Sequence, residues 1–384
     1  LTKNPKNLRH KCILKKLKNS TLITSVHNGA KHLANEIDST FPEIYLSPLP
    51  QYRKFHSDPR ETSQYRIPQT STHRLKKMSS TLVPVSYSVN VCNSDAPYLE
   101  QTLRHMIKAL NYPFRERIAT YDPGRQEGKY AARIQGRQTD VEQILTRLLD
   151  DGVLDRVDVV PWTDDEQEQI LFKYFGNSDI ELKDFSGAPI YQYLYALDAC
   201  HSDYVLHVDS DMLFHRRGNG SWIHDGLRAL QQNAEVIVTT PQGGPPQAAN
   251  WLERLLGRSL TAPATEPWGV ATFTSTRYFL MDMAKLRACL PLQQSRPGEP
   301  LENSLTHTFS QRGYVRWSMT GYEHWAIHPW RHDENYIRYL DDLIWAVEQG
   351  IYPFKRTGYR WDMRTEGKLI NEWLGVLRKH GRAL

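Results

Sequence analysis

The sequence predicts an α/β protein: an open, mostly parallel sheet flanked by helices, followed by a C-terminal extension of helices and loops. Short apolar or alternating runs recur between stretches with helical apolar spacing, the pattern of strands alternating with helices. The chain has 384 residues, enough for one large domain or two ordinary ones. Its 40% hydrophobic and 24% charged residues are a globular composition. No run approaches the roughly 18 apolar residues that a membrane helix takes, so no transmembrane segment is expected. Cys12, Cys92, Cys200 and Cys289 have neither disulfide-framework nor zinc spacing and fit a reducing, cytoplasmic setting.

Residues 1–77 read differently from the rest. They hold 15 Lys and Arg against 5 Asp and Glu, while the remainder holds 33 against 38. The basic character therefore belongs to the first fifth of the chain, and nucleic acid is not an expected partner. No apolar period persists there, so a basic, disordered extension is expected. Met78 opens MSSTLVPVSYSVNVCN, which has the look of a natural start, and residues 1–77 are expected to be dispensable for activity. Residues 78–332 are assigned to one domain and 333–384 to a helical extension packed on it.

Val85–Val91 alternates and is rich in β-formers, so it is expected to be a strand. Leu99, Leu103, Met106, Ile107 and Leu110 then mark a helix, with Ser94, Asp95 and Pro97 as its start signals. Arg117–Tyr121 reads as a second strand closed by the turn Asp122-Pro-Gly. Val141, Ile144, Leu145, Leu148 and Leu149 mark a second helix, and Val157–Val160 a third strand. Tyr191, Leu194, Tyr195 and Leu197 mark another helix before the strand Tyr204–Val208. Val236–Thr240 and Phe273–Leu280 complete the expected strands. In such sheets ligands sit at the carboxyl ends of strands.

One strand end carries unusual chemistry. In YVLHVDSDMLF, Tyr204 to Phe214, an apolar strand runs into Asp209 and Asp211 and then returns to apolar residues. Carboxylates between buried flanks cost several kcal/mol unless paired or ligated. A divalent cation offsets that cost. Oxygen ligands suit Mg²⁺ or Mn²⁺, which share their coordination with substrate phosphates.

With this motif in place, residues 84–332 resemble a GT-A glycosyltransferase, similar to the family-2 group. The resemblance rests on segments in order: the first strand with Asn93-Ser94-Asp95 and YLEQTLRHMI, Asp122 after the second strand, GAPIYQYLYALDAC followed by DYVLHVDSDMLF, then PWGVATFTSTRYFLMDMAKL with Gly269, and LENSLTHTFSQRGYVRWSM. It implies a Rossmann-like sheet and a metal-dependent, inverting transfer of a sugar from a nucleotide-diphosphate donor to an acceptor hydroxyl. The acceptor is a glycan, a small molecule or a lipid-linked group.

The same resemblance implies the site. Asp209 and Asp211 hold the metal, with His328 as a further ligand and His332 as its substitute. Asn93, Asp95, Asp122, Asp209 and Ser210 meet the nucleotide. Glu302 is the general base, and Asp282 is the alternative. The family's usual second acid is replaced here by Asn303, which motivates an alternative: a non-catalytic sugar-nucleotide or glycan binder. Trp268 and Trp330 are candidate sugar platforms, and Arg356 and Arg360 candidate phosphate contacts. A third reading, a metal hydrolase, draws on His324, His328 and His332, which fall four apart.

Overall fold

The computed structural model describes residues 82–124, 128, 137–245, 251–256, 268–271, 273–321, 323–353 and 361–384. The expected extension 1–77, the start at Met78, Arg356 and Arg360 lie outside the described residues.

In chain order, β1 (Val85–Cys92) leads through a single 3-10 turn, Asn93–Asp95, into α1 (Leu99–Leu110). β2 (Glu116–Asp122), α2 (Gln138–Asp150), β3 (Arg156–Val159), α3 (Asp164–Phe175) and α4 (Tyr191–Asp198) follow. Next come β4 (Tyr204–Asp209), β5 (Leu213–Arg216), α5 (Trp222–Gln232), β6 (Val236–Thr240), β7 (Gln242–Gly243) and α6 (Trp251–Leu256). β8 (Trp268–Ala271), β9 (Tyr278–Asp282), α7 (Met283–Cys289), α8 (Leu301–Gln311) and β10 (Val315–Met319) close the large sheet. The chain ends with β11 (His324–Pro329), α9 (Glu334–Arg338), α10 (Leu340–Glu348), β12 (Asp362–Met363) and α11 (Ile370–Lys379).

The eight-stranded sheet has the order β3-β2-β1-β4-β9-β6-β10-β8. Strands β3, β2, β1 and β4 are mutually parallel, while β9 runs antiparallel to both β4 and β6. This is the expected α/β architecture, a mostly parallel sheet flanked by helices. Alternation decides which side chain goes where. Tyr87, Val89 and Val91 of β1 pack into one apolar layer with Leu99, Leu103 and Met106 of α1. The opposite layer holds Ile118, Val205, Phe279 and Met281 against α3, α4, α7 and α8. α1 stops at Asn111, whose φ of 45° is the left-handed conformation that asparagine tolerates at a helix end.

Two expectations are corrected. The strand foreseen over Phe273–Leu280 is displaced to Tyr278–Asp282. Hydroxyls claim the backbone before it: Thr274 N–H donates to Thr306 Oγ1 at 2.9 Å and Arg277 N–H to Ser275 Oγ at 3.3 Å, which competes with ladder pairing. The tail from residue 320 is not only helices and loops. β11 pairs with β5, β7 and β12 in a second small sheet. Alternating Trp325 and Ile327 feed a third apolar cluster with Leu213, Tyr336, Leu343 and Trp373. Tyr98, at the head of α1, is part of that cluster and is 1% exposed.

Candidate active site

Parallel register brings the acidic strand ends to one edge. Cys92 lies opposite Asp122, and Asn90 opposite Asp209, so the turn after β1, the end of β2 and the acid pair after β4 share the carboxyl rim. At the other end of β4, Tyr204 pairs with Asp282. Five residues at about 3.3 Å each separate that point from Asp209 by roughly 16 Å. Asp282 Oδ1 accepts from Ala284 N–H at 3.0 Å and Lys285 N–H at 3.1 Å, making it the N-cap of α7. That excludes it as the alternative base.

The Asp209 side chain is 22% exposed and that of Asp211 9%. Tyr193 of α4 donates its hydroxyl to Asp209 Oδ1. His332 Nε2 donates to Asp211 Oδ2 at 3.0 Å. The second oxygen, Asp211 Oδ1, is buried without a hydrogen-bond partner. The two carboxyls titrate in opposite directions. Burial, then the charge of Asp211, raises the pKa of Asp209, against the lowering effect of Arg277 and Tyr193. Burial works against Asp211 as well. There the hydrogen bond and charge of His332, with the charges of His328 and Arg277, outweigh it and hold the carboxyl below its usual range. Two acids this close cannot both ionise cheaply without a cation.

His328 is displaced from its expected role. Its Nδ1 faces the carbonyl oxygen of Pro329 at 2.9 Å and its Nε2 the carboxylate of Asp362 at 3.0 Å. Both ring nitrogens thus face partners other than the acid pair. His332, the substitute, is the histidine that meets Asp211. His324 and His328 lie on β11, a strand, so the helical histidine pair of a zinc peptidase is absent.

The expected nucleotide residues separate into two kinds. Asp95 is 3% exposed. Its Oδ2 accepts from Cys92 N–H at 2.9 Å and from the Ser210 hydroxyl at 2.8 Å, and its Oδ1 from the Tyr98 hydroxyl at 2.6 Å. Saturated in this way, Asp95 and Ser210 brace the two turns and leave no face for a nucleotide. Asn93 is anchored at the rim: its amide donates to Pro123 O at 2.8 Å, and it accepts from Tyr121 at 2.6 Å. Asp122 Oδ1 accepts from Gly124 N–H at 2.8 Å and Trp162 Nε1 at 3.0 Å. Trp162, 38% exposed, was not legible as a site residue.

Glu302 lies in the first turn of α8 and accepts from the Thr276 hydroxyl at 2.8 Å. Thr276 precedes Arg277, whose carbonyl accepts from Asp209 N–H at 2.7 Å, so Glu302 is tied to the segment beside the acid pair. Trp268 pairs with Trp317 at 6.1 Å, and Trp330, half exposed, lies under Arg364 at 5.0 Å. Two further contributors escape sequence reading. Arg277 is set beside the acids because its carbonyl accepts from Asp209 N–H at 2.7 Å. Tyr193 falls off the Tyr191–Tyr195 stripe of α4. Its burial on α4 shows only in the folded chain, and no sequence signal marks it.

Among the described residues no three His, Cys, Asp or Glu side chains form a protein-only metal cluster. A cation that shares its coordination with water and phosphate needs no such cluster. The unpartnered Asp211 Oδ1 and the mutual repulsion of the pair fit that demand.

No family model matches the chain, and no curated protein matches it. Among solved structures it is similar to GalNAc-T7 crystallised with UDP, GalNAc and Mn²⁺, at 12% identity and a TM-score of 0.40, over 66% of this chain and 45% of that one. The chain thus spans less than half the length of GalNAc-T7. It is similar to a mycobacterial protein at 14% identity and a TM-score of 0.35, over 69% of this chain and 73% of that one. It is also similar to glucosyl-3-phosphoglycerate synthase from Mycobacterium tuberculosis, solved with Mn²⁺, UDP and glucosyl-3-phosphoglycerate, at 16% identity and a TM-score of 0.33, over 69% and 77%. GalNAc-T7 and the synthase are GT-A glycosyltransferases. Among the described residues no helix is long and apolar enough to cross a membrane.

Proposed function

We propose that the chain is a glycosyltransferase that moves a sugar from a nucleotide-diphosphate sugar to an acceptor hydroxyl. The observation that carries this is the buried Asp211 oxygen without a hydrogen-bond partner, beside a second carboxyl whose pKa burial and then the charge of Asp211 raise. Asp211 and Asp209 would hold Mn²⁺ or Mg²⁺, with His332 at hand as a third group. The cation, when bound, supplies Lewis-acid neutralisation of the charge that develops on the departing diphosphate.

The chain's own residues do the rest. Asn93, Asp122 and Trp162 form the rim on which base and ribose rest. Tyr193 and Arg277 hold Asp209 in place and temper its charge. Glu302, oriented by Thr276, takes the proton of the acceptor hydroxyl as that oxygen attacks the anomeric carbon. Asn303 is exposed in the same helix turn, and an amide cannot replace a carboxylate in that step, so the proton falls to Glu302 alone.

A thermal-shift panel of nucleotide diphosphates with and without Mn²⁺ tests the proposal, because a ligand of the folded state raises the melting temperature by mass action. The expected result is a shift for one nucleotide that depends on Mn²⁺ and is lost in Asp211→Asn. No metal-dependent shift with any nucleotide overturns it. A shift without sugar transfer to any acceptor favours a non-catalytic binder.

A further inference from the structure

We infer that Tyr98 is a positioning residue that holds His332 against Asp211, so that the C-terminal segment and the turn after β1 are fastened together through the acid pair; this rests on reading Asp209 and Asp211 as a cation site. The contacts close a ring. Tyr98 donates to Asp95 Oδ1 at 2.6 Å, and Ser210 donates to Asp95 Oδ2 at 2.8 Å. The Tyr98 ring stacks on the His332 imidazole with centroids 4.4 Å apart and planes 14° from parallel. His332 Nε2 reaches Asp211 Oδ2 at 3.0 Å, and Asp211 follows Ser210 in the chain. Tyr336 stands edge-on to both rings, 5.6 Å from the imidazole and 6.1 Å from Tyr98.

The stack fixes the imidazole plane, and the hydroxyl ties Tyr98 to the turn after β1 through Asp95. A histidine in a connecting segment has free χ1 and χ2 rotors, and ordering it costs conformational entropy. Packed on Tyr98 and against the edge of Tyr336, the ring is set before any ligand arrives. Its reach to Asp211 keeps one carboxylate oxygen engaged, while the other has no hydrogen-bond partner. Residues of this supporting kind typically govern metal affinity about 10- to 100-fold without touching the ion.

The test is a double-mutant cycle read by Mn²⁺ affinity, measured by titration of the whole chain without donor or acceptor. Tyr98→Leu is expected to weaken Mn²⁺ binding roughly 10- to 100-fold, while Tyr98→Phe, which keeps the stack, recovers most of it. In a His332→Ala background, Tyr98→Leu is expected to add no further loss. A full additional loss there means that Tyr98 acts through general stability and overturns the inference. So does unchanged affinity in Tyr98→Leu alone, with the cation reading left intact.

If the unsubstituted chain binds no Mn²⁺, the cation reading fails first, and the clamp is judged by amide hydrogen exchange. Faster exchange over residues 329–336 in Tyr98→Leu, restored in Tyr98→Phe, supports it. Equal exchange in all three proteins overturns it.

Discussion

Strand β4 lies between two aspartate sites whose surroundings are opposite. Asp282, paired with its first residue, is fully employed: two backbone amides bond one oxygen, and Lys285 stands 3.8 Å from the other. That lysine in turn donates to the carbonyls of Leu230, Asn233 and Val236. At the last residue of β4 and just beyond, Asp209 and Asp211 crowd each other, and Asp211 keeps one buried oxygen idle. A strand-end carboxylate whose bonds are all made is a structural part. One with a buried oxygen that no protein group meets is the feature on which the cation proposal rests.

The largest expected effect follows from breaking the uncompensated end. Asp211→Asn removes the charge that anchors a cation and should lower kcat/KM on the order of 10³-fold, since a Lewis acid contributes several kcal/mol to the transition state. Steady-state kinetics at saturating Mn²⁺ check it. Asp282→Asn, at the compensated end, should leave kcat/KM unchanged, because asparagine caps a helix as well as aspartate does.

The next effect separates the two base candidates. Glu302→Gln keeps the shape and the bond from Thr276 but cannot take a proton, and kcat should fall roughly 10²-fold with donor binding preserved. Turnover near the unsubstituted rate in Glu302→Gln removes Glu302 from the chemistry.

How much of this was legible follows from what each residue depends on. The strands β1, β2, β4 and β6 declare themselves by alternation and apolar runs, and the acid pair by its apolar flanks. These are local signals. The division of labour at the rim is not local. Asp95 looked like a nucleotide contact because it follows β1, yet its oxygens are consumed by Ser210 and Tyr98, which only folding brings near. His328 and His332 are four residues apart and the sequence favours His328, yet folding sets Asp362 against His328 and Asp211 against His332. Tyr193, Arg277 and Trp162 carry no motif, and burial and register alone recruit them.

Between the two ends, β4 itself carries a titration signature. His207 is buried at its centre, with Nδ1 3.3 Å from the Ser88 hydroxyl and Nε2, which makes no hydrogen bond, 4.0 Å from Asp209 Oδ1. Burial pushes its pKa from 6.5 down to about 3. The unfolded chain therefore binds a proton that the folded chain refuses between those values. The His207 contribution should be level above pH 6.5 and fall as the pH drops from 6.5 toward about 3, while Asp209, whose pKa burial and Asp211 raise to about 7, adds an opposing contribution that is lost as the pH rises toward 7. Urea unfolding as a function of pH checks this. His207→Leu should flatten part of the fall, and His215, pushed down to about 4 by burial, accounts for some of what remains.

The smallest effect belongs to the compensated end. Asp282→Ala deletes the cap of α7 and leaves the amides of Ala284 and Lys285 without their acceptor, at a cost of about 1 kcal/mol. In a chain of this size that lowers the melting temperature by only a few degrees. Turnover per folded molecule should not change, because the residue stands a strand's length from the acid pair. Both measurements are needed on the same preparation. Loss of turnover beyond the loss of folded protein would mean that the two ends of β4 are coupled and that Asp282 does more than cap a helix. A stability loss alone assigns it wholly to the scaffold.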